Sequence, residues 1–233
     1  MKTIDYTPKS PFEIIYGNEE SLHRITDLVC GFEKLPTDGK SGILLYGAFG
    51  TGKTTLAKML PEFIEVGNHA TELAMPAEFI PCQQGFNGPQ ITTLIEKQLS
   101  RNSLNASRLH YFVLDEVDNL SKLAQRSLKS VMNTQRAIFI LTTNNKSTLD
   151  KGMKDRCVRV EMNAATDQQL LPVARRVAAD MNVVLNDEDL VAEIAASHGS
   201  LREVMNRVKR LARRRQSKQN SIHSKLTNNT ETV

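Results

Sequence analysis

Gly47-Ala48-Phe49-Gly50-Thr51-Gly52-Lys53-Thr54 is the stretch on which the reading of this 233-residue chain turns. It fits the pattern G-x-x-x-x-G-K-[ST], and its surroundings fit as well. The apolar run Ile43-Leu44-Leu45-Tyr46 feeds into it, and Thr55-Leu56-Ala57-Lys58-Met59-Leu60 leaves it with helical character. Glycines let backbone N–H groups turn inward around phosphate oxygens, and the start of the following helix adds the positive end of its dipole. On this reading Gly47, Gly50, Thr51, Gly52, Lys53, Thr54 and Thr55 cradle a nucleotide. Lys53 reaches the β- and γ-phosphates and the Thr54 hydroxyl ligates Mg²⁺. A chance glycine-rich turn would not bring strand, loop and helix together in this order.

Downstream, Tyr111-Phe112-Val113-Leu114-Asp115-Glu116 describes a buried strand ending in two acids. Asp115 is placed to hold the metal, and Glu116 to orient the water that attacks the γ-phosphate; such a transfer asks the protein for position and charge stabilisation. An Asp-Glu turn alone is ordinary, but with the loop it supplies both cradle and metal arm. A further strand ends Thr142-Thr143-Asn144-Asn145, where Asn144 could meet the γ-phosphate or the water, although Asn-Asn also suits a turn. Arg156, in Lys154-Asp155-Arg156-Cys157, and Arg202 carry the guanidinium suited to bidentate phosphate contact, although single arginines usually sit on solvated surfaces. Glu116, Lys53, Asn144, Arg156 and Arg202 form the candidate catalytic set.

Apolar β-rich runs at 42–47, 78–82, 111–114, 138–142 and 158–162 alternate with amphipathic stretches such as 91–99 and 122–132. That alternation predicts an α/β fold: a mostly parallel sheet in three layers, with helices covering both faces. After Met162 the pattern becomes helical. Thr166 with Gln169 reads as a capping box for a helix towards Met181, with Pro172 against it; Asn186 caps a second, stopped near Gly199. Ser200 with Glu203 opens a third, to about Arg215. The expected division is 1–163 for the sheet domain, 164–215 for a small helical domain, and a disordered polar tail at 216–233. Net charge is +4, which favours a polyanionic partner. Three scattered cysteines argue against a zinc module and fit a reducing compartment. No stretch approaches the roughly 20 apolar residues of a membrane span, and the start lacks a secretory pattern, so a soluble cytoplasmic protein is expected.

With these pieces in order, the chain resembles an AAA+ ATPase, and within that group the ATPase subunits of sliding-clamp loaders, phage or replication factor C-like. Tyr6-Thr7-Pro8 and Glu13–Glu20 look like the segment that packs on adenine, which implicates Tyr6 and Pro8 in nucleotide binding. Asp115-Glu116-Val117-Asp118, Thr143-Asn144, Asp155-Arg156-Cys157 and Gly199-Ser200-Leu201-Arg202 are similar to the extended acidic motif, sensor 1, the arginine finger and sensor 2. Asp155 stands where the family has serine. The resemblance implies ATP and Mg²⁺ between sheet domain and helical lid, closed by Arg156 of a neighbouring AAA+ subunit, with DNA and a sliding clamp as targets. It further implies a collar domain, which this chain lacks as read, so that another subunit supplies it or the protein is a shorter relative. A helicase loader or transposition regulator forming filaments on DNA stays open as the alternative, and a non-hydrolysing scaffold behind it. For DNA, the basic series Arg202, Arg207, Lys209, Arg210, Arg213, Arg214, Arg215 and Lys218 is one candidate. The helix starting near Pro89-Gln90-Ile91 is the one that the resemblance implies.

Overall fold

The computed structural model describes residues 5–230, with side chains through 218. Five strands, β1 (Gly42–Tyr46), β2 (Glu78–Pro81), β3 (His110–Asp115), β4 (Ala137–Thr143) and β5 (Cys157–Glu161), pair in parallel in the order β2-β3-β4-β1-β5. Each coincides with an expected run to within a residue or two. Their near-continuous apolar character follows from burial on both faces. Ile43, Leu45, Val113, Ile138, Ile140, Val158 and Val160 face one core with α1 (Glu19–Val29) and α2 (Lys53–His69). The alternate residues Leu44, Phe112, Leu114, Phe139 and Leu141 face the other with α3 (Gly88–Leu99), α4 (Lys122–Val131) and α5 (Lys151–Asp155). There the Phe112 and Phe139 rings stack with centroids 5.3 Å apart.

Strand order decides the site. β4 lies between β1 and β3, with Gly42 opposite Phe139 and His110 opposite Ala137. The loop leaving β1 and the acids ending β3 are therefore two strand spacings apart, about 10 Å, with the end of β4 between them. Helix α1 is not foreseen by the periodicity. It is set by Asn18, whose side chain caps Ser21 N at 2.8 Å, and by the Ser21 hydroxyl, which donates to the Glu161 carbonyl at 2.6 Å.

Residues 7–163 form one compact unit; among the described residues, Asp5 and Tyr6 group with 164–230 in a second. Within the second unit, α6 (Asp167–Asp180) starts with the reciprocal Thr166–Gln169 capping box and runs through Pro172. Leu170, Ala174 and Val177 are fully buried along it, and that packing outweighs the hydrogen bond the proline cannot make. Asn186 caps α7 (Asp187–Ala195). Gly199, at φ 76°, precedes α8 (Leu201–Thr230). The Ser200–Glu203 box is half made: Ser200 Oγ accepts from Glu203 N at 3.3 Å, whereas the Glu203 carboxylate turns to Arg210 and Ser200 N–H donates to Ser197 O. The expected end at 215 and the disordered tail from 216 are corrected, since α8 continues to Thr230. No glycine or proline follows Gly199 to interrupt its backbone hydrogen bonds. Of the expected tail, 231–233 lie outside the described residues.

Candidate functional site

The loop between β1 and α2 bends through Gly47, Gly50 and Gly52, at φ 140°, 73° and 89°. A Cβ on Gly47 would collide with the backbone carbonyl of Met162, which is pinned there because Met162 N donates to Tyr46 O at 2.7 Å. Thr51 Oγ1 donates to Ala48 O at 3.0 Å and tightens the loop. Gly52 caps α2 with no side-chain bond, so N–H groups of the first helical turn are left for an anion. Lys53 is buried, and its ammonium bonds the loop carbonyls of Gly47 at 3.0 Å and Ala48 at 2.5 Å. Thr55 follows, half-buried, in the same turn.

Across the 10 Å gap the side chains converge. Thr54 Oγ1 donates to Asp115 Oδ1 at 2.8 Å, and Thr142 Oγ1 donates to the same oxygen at 2.6 Å. Glu116, at φ 58° and ψ 52°, is held in the left-handed region. Its N–H donates to Thr142 Oγ1 at 2.9 Å, and Asn119 Nδ2 reaches its carboxylate at 3.2 Å. A hydroxyl and a carboxylate in contact are the hard oxygen donors a Mg²⁺ ion takes, and a buried ammonium within a ring of loop carbonyls and N–H groups suits a triphosphate. The residues fit both groups. Of the paired asparagines, Asn145 spends its side chain capping Ser147, while Asn144 directly follows the last residue of β4.

Arg156 lies elsewhere. It precedes Cys157, which pairs with Gly42 at the start of β1, so it sits at the opposite edge of the sheet from the loop. Five residues of strand separate the two, about 16 Å. Its guanidinium is tied to Asn133 Oδ1 at 2.7 Å and Gly152 O at 2.8 Å. Tyr6 and Arg202 belong to the helical unit, and Pro8 to the sheet unit. The Tyr6 ring is flanked by the Lys209 ammonium at 4.9 Å and the Arg176 guanidinium at 5.9 Å. Burial, reinforced by a hydrogen bond to Asp180, raises its phenol above the ordinary value.

The sequence profile "ATPase family associated with various cellular activities (AAA)" matches residues 43–165, more than half of the chain. The chain is an AAA ATPase. Among similar curated proteins are a probable replication factor C subunit 2 of Dictyostelium discoideum and replication factor C subunit 3 of Arabidopsis thaliana. They are 25% and 27% identical, covering 82% and 86% of this chain and 55% and 63% of theirs. A replication factor C small subunit of Haloarcula marismortui is 25% identical over 86% of this chain and 59% of its own. The AAA ATPase described here thus spans about three fifths of the length of these relatives. Among solved structures, the Thermotoga maritima RuvB Holliday junction branch migration motor superposes with a TM-score of 0.61 at 21% identity. It covers 88% of this chain and 64% of its own, a likeness of fold.

In this AAA ATPase, Thr142 and Asn119 touch the acids, and sequence reasoning assigned neither a role. The available signal for Thr142 was a hydroxyl at the end of the otherwise apolar strand Ala137–Leu141, fully buried at 1% exposure. Cys82 lies beside the same acids. Burial, with the charges of Asp115, Asp118 and Glu116 adding to it, pushes its thiol up to about 12. The basic series is less available than its sequence suggests. Arg207, Arg210 and Arg215 pair with Glu193, Glu203 and Asp189 at 2.7, 3.0 and 2.6 Å, and Lys209 lies over Tyr6. At the start of α3, Gln90 is engaged in a capping box with Asn87. Among the described residues no helix is long and apolar enough to cross a membrane.

Proposed function

We propose that this AAA ATPase hydrolyses ATP as one subunit of an assembly that loads a ring-shaped clamp on DNA. The observation that carries the reading is the opposition of the loop and Arg156 across the sheet. An arginine about 16 Å from its own phosphate loop can serve a nucleotide only on a neighbouring subunit, so that ATP becomes part of the subunit contact. The clamp is taken from the resemblance of the sequence motifs to clamp-loader subunits, and the replication factor C relatives support a role in replication.

Within one subunit, Lys53 would exchange its two loop carbonyls for β- and γ-phosphate oxygens. Gly47, Gly50, Thr51, Gly52 and Thr55 would shape the cradle, with Tyr6 and Pro8 towards the base. Thr54 and Asp115 would hold Mg²⁺, which supplies neutralisation of charge on the phosphates. Glu116 orients the attacking water and accepts its proton, Asn144 contacts the γ-phosphate, and Arg202 with the neighbour's Arg156 offsets the developing negative charge. Loss of the γ-phosphate contacts would loosen the assembly. The test is imaging with a slowly hydrolysed ATP analogue and primed DNA, beside turnover with and without a clamp. Short closed or spiral assemblies and clamp-stimulated turnover are expected. Long filaments indifferent to a clamp would overturn clamp loading in favour of a helicase-loader or transposition-regulator role.

A further inference from the structure

We infer that Thr142 is a positioning residue for ATP hydrolysis, its one hydroxyl coupling the carboxylate of Asp115 to the backbone of Glu116. The inference rests on the roles proposed above for these two acids.

The hydroxyl sits 2.6 Å from Asp115 Oδ1 and 2.9 Å from Glu116 N. A threonine hydroxyl has one proton, an ionised carboxylate can only accept, and a backbone N–H can only donate. The proton therefore faces Asp115, and a lone pair of the same oxygen receives the Glu116 N–H. Each bond orients the hydroxyl for the other. Asp115 Oδ1 also accepts from Thr54, so both hydroxyls converge on one carboxylate oxygen.

Glu116 depends on this anchor more than an ordinary residue would. Its φ of 58° places a bulky side chain in a region disfavoured for residues with a Cβ. The Thr142 bond holds its backbone, and Asn119, which also donates to Cys82 O at 3.1 Å, holds its carboxylate. The arrangement exists because β4 lies between β1 and β3, which brings a side chain from its C-terminal end to both acids. A valine at 142 would keep the shape, leave the Glu116 N–H without its acceptor and remove one donor from Asp115.

The experiment compares Thr142→Val, Thr142→Ser and Glu116→Gln in the full chain. It measures kcat and KM for ATP, the Mg²⁺ concentration for half-maximal turnover, and binding of a fluorescent ATP analogue with Mg²⁺ or with EDTA. Thr142→Val is expected to lower kcat by roughly 10- to 100-fold, the scale of a lost hydrogen bond to a charged group. KM should change little, the Mg²⁺ requirement should rise, and binding in EDTA should stay at the wild-type level. Thr142→Ser, which keeps the hydroxyl, should restore both kcat and the Mg²⁺ requirement. If Thr142→Val melts early, Thr142→Ala removes the same hydroxyl and carries the same expectation. Wild-type kcat and Mg²⁺ dependence without the hydroxyl would overturn the inference, as would a serine variant as impaired as the valine one. Unimpaired turnover by Glu116→Gln would instead overturn the assignment of the acids.

Discussion

Replacing Gly47 by alanine asks whether the first bend of the phosphate loop is held by contact with the sheet or only by its own torsions. Gly85 provides the control. Both glycines have positive φ, 140° and 88°, but a Cβ on Gly85 meets nothing within 4 Å, whereas one on Gly47 collides with the Met162 carbonyl. The left-handed penalty is about 1–2 kcal/mol, offset by about 0.4–1 kcal/mol from the stiffer unfolded chain. Gly85→Ala should therefore destabilise by about 1.6 kcal/mol or less, a fall of up to about 6 °C in Tm for a protein of this size. Gly47→Ala adds an overpacking cost of about 1–3 kcal/mol. Little of it can relax, because the obstructing group is hydrogen-bonded backbone, Met162 N donating to Tyr46 O. With the torsional cost included, its Tm should fall by roughly 2–18 °C. Because relief requires the loop to shift away from the end of β5, nucleotide affinity should also drop, by about tenfold for each 1.4 kcal/mol of distortion. The assays are thermal melting and titration with a fluorescent ATP analogue. Equal melting of the two variants, or wild-type affinity in Gly47→Ala, would refute the reasoning.

Lys53→Ala is expected to abolish detectable nucleotide binding in the same titration, since no other buried ammonium lies in the loop among the described residues. Glu116→Gln should bind ATP normally, lose turnover by about 100-fold or more, and leave ATP-bound assemblies intact by electron microscopy. Arg156→Ala and Lys53→Ala should each be inactive alone, yet an equimolar mixture should recover roughly a quarter of wild-type turnover if each active site is shared head to tail; no recovery would count against an arginine supplied by a neighbour. Cys82 and Cys157, both pushed up to about 12 by burial, should resist alkylation at pH 8 while exposed Cys30 reacts, as read by mass spectrometry. The same raised values mean the folded state keeps protons the unfolded state releases. Their contribution is thus fully present below about pH 9 and is lost as pH rises from there through about 12, measurable by denaturation at alkaline pH.

The phosphate loop and the acids of β3 were legible because each is local: a pattern of glycines, a lysine and a hydroxyl within eight residues, or four apolar residues and two carboxylates in a row. The five strands were legible for a related reason, since burial on both faces leaves uninterrupted apolar runs. So were the caps at Thr166 and Asn186, which act on residues three positions away. Chain order alone could not place β4 between β1 and β3. The bonds Thr54–Asp115 and Thr142–Asp115 span 61 and 27 residues, and they exist only through sheet register. The partners of the basic series come from α7 and α8 themselves, 7 to 26 residues away, and like the two cations around Tyr6 they are fixed by packing. Local sequence therefore determined which chemical groups this AAA ATPase carries. Strand order and packing decided which of them meet, because a hydrogen bond depends on ångström-scale proximity that separation along the chain does not encode.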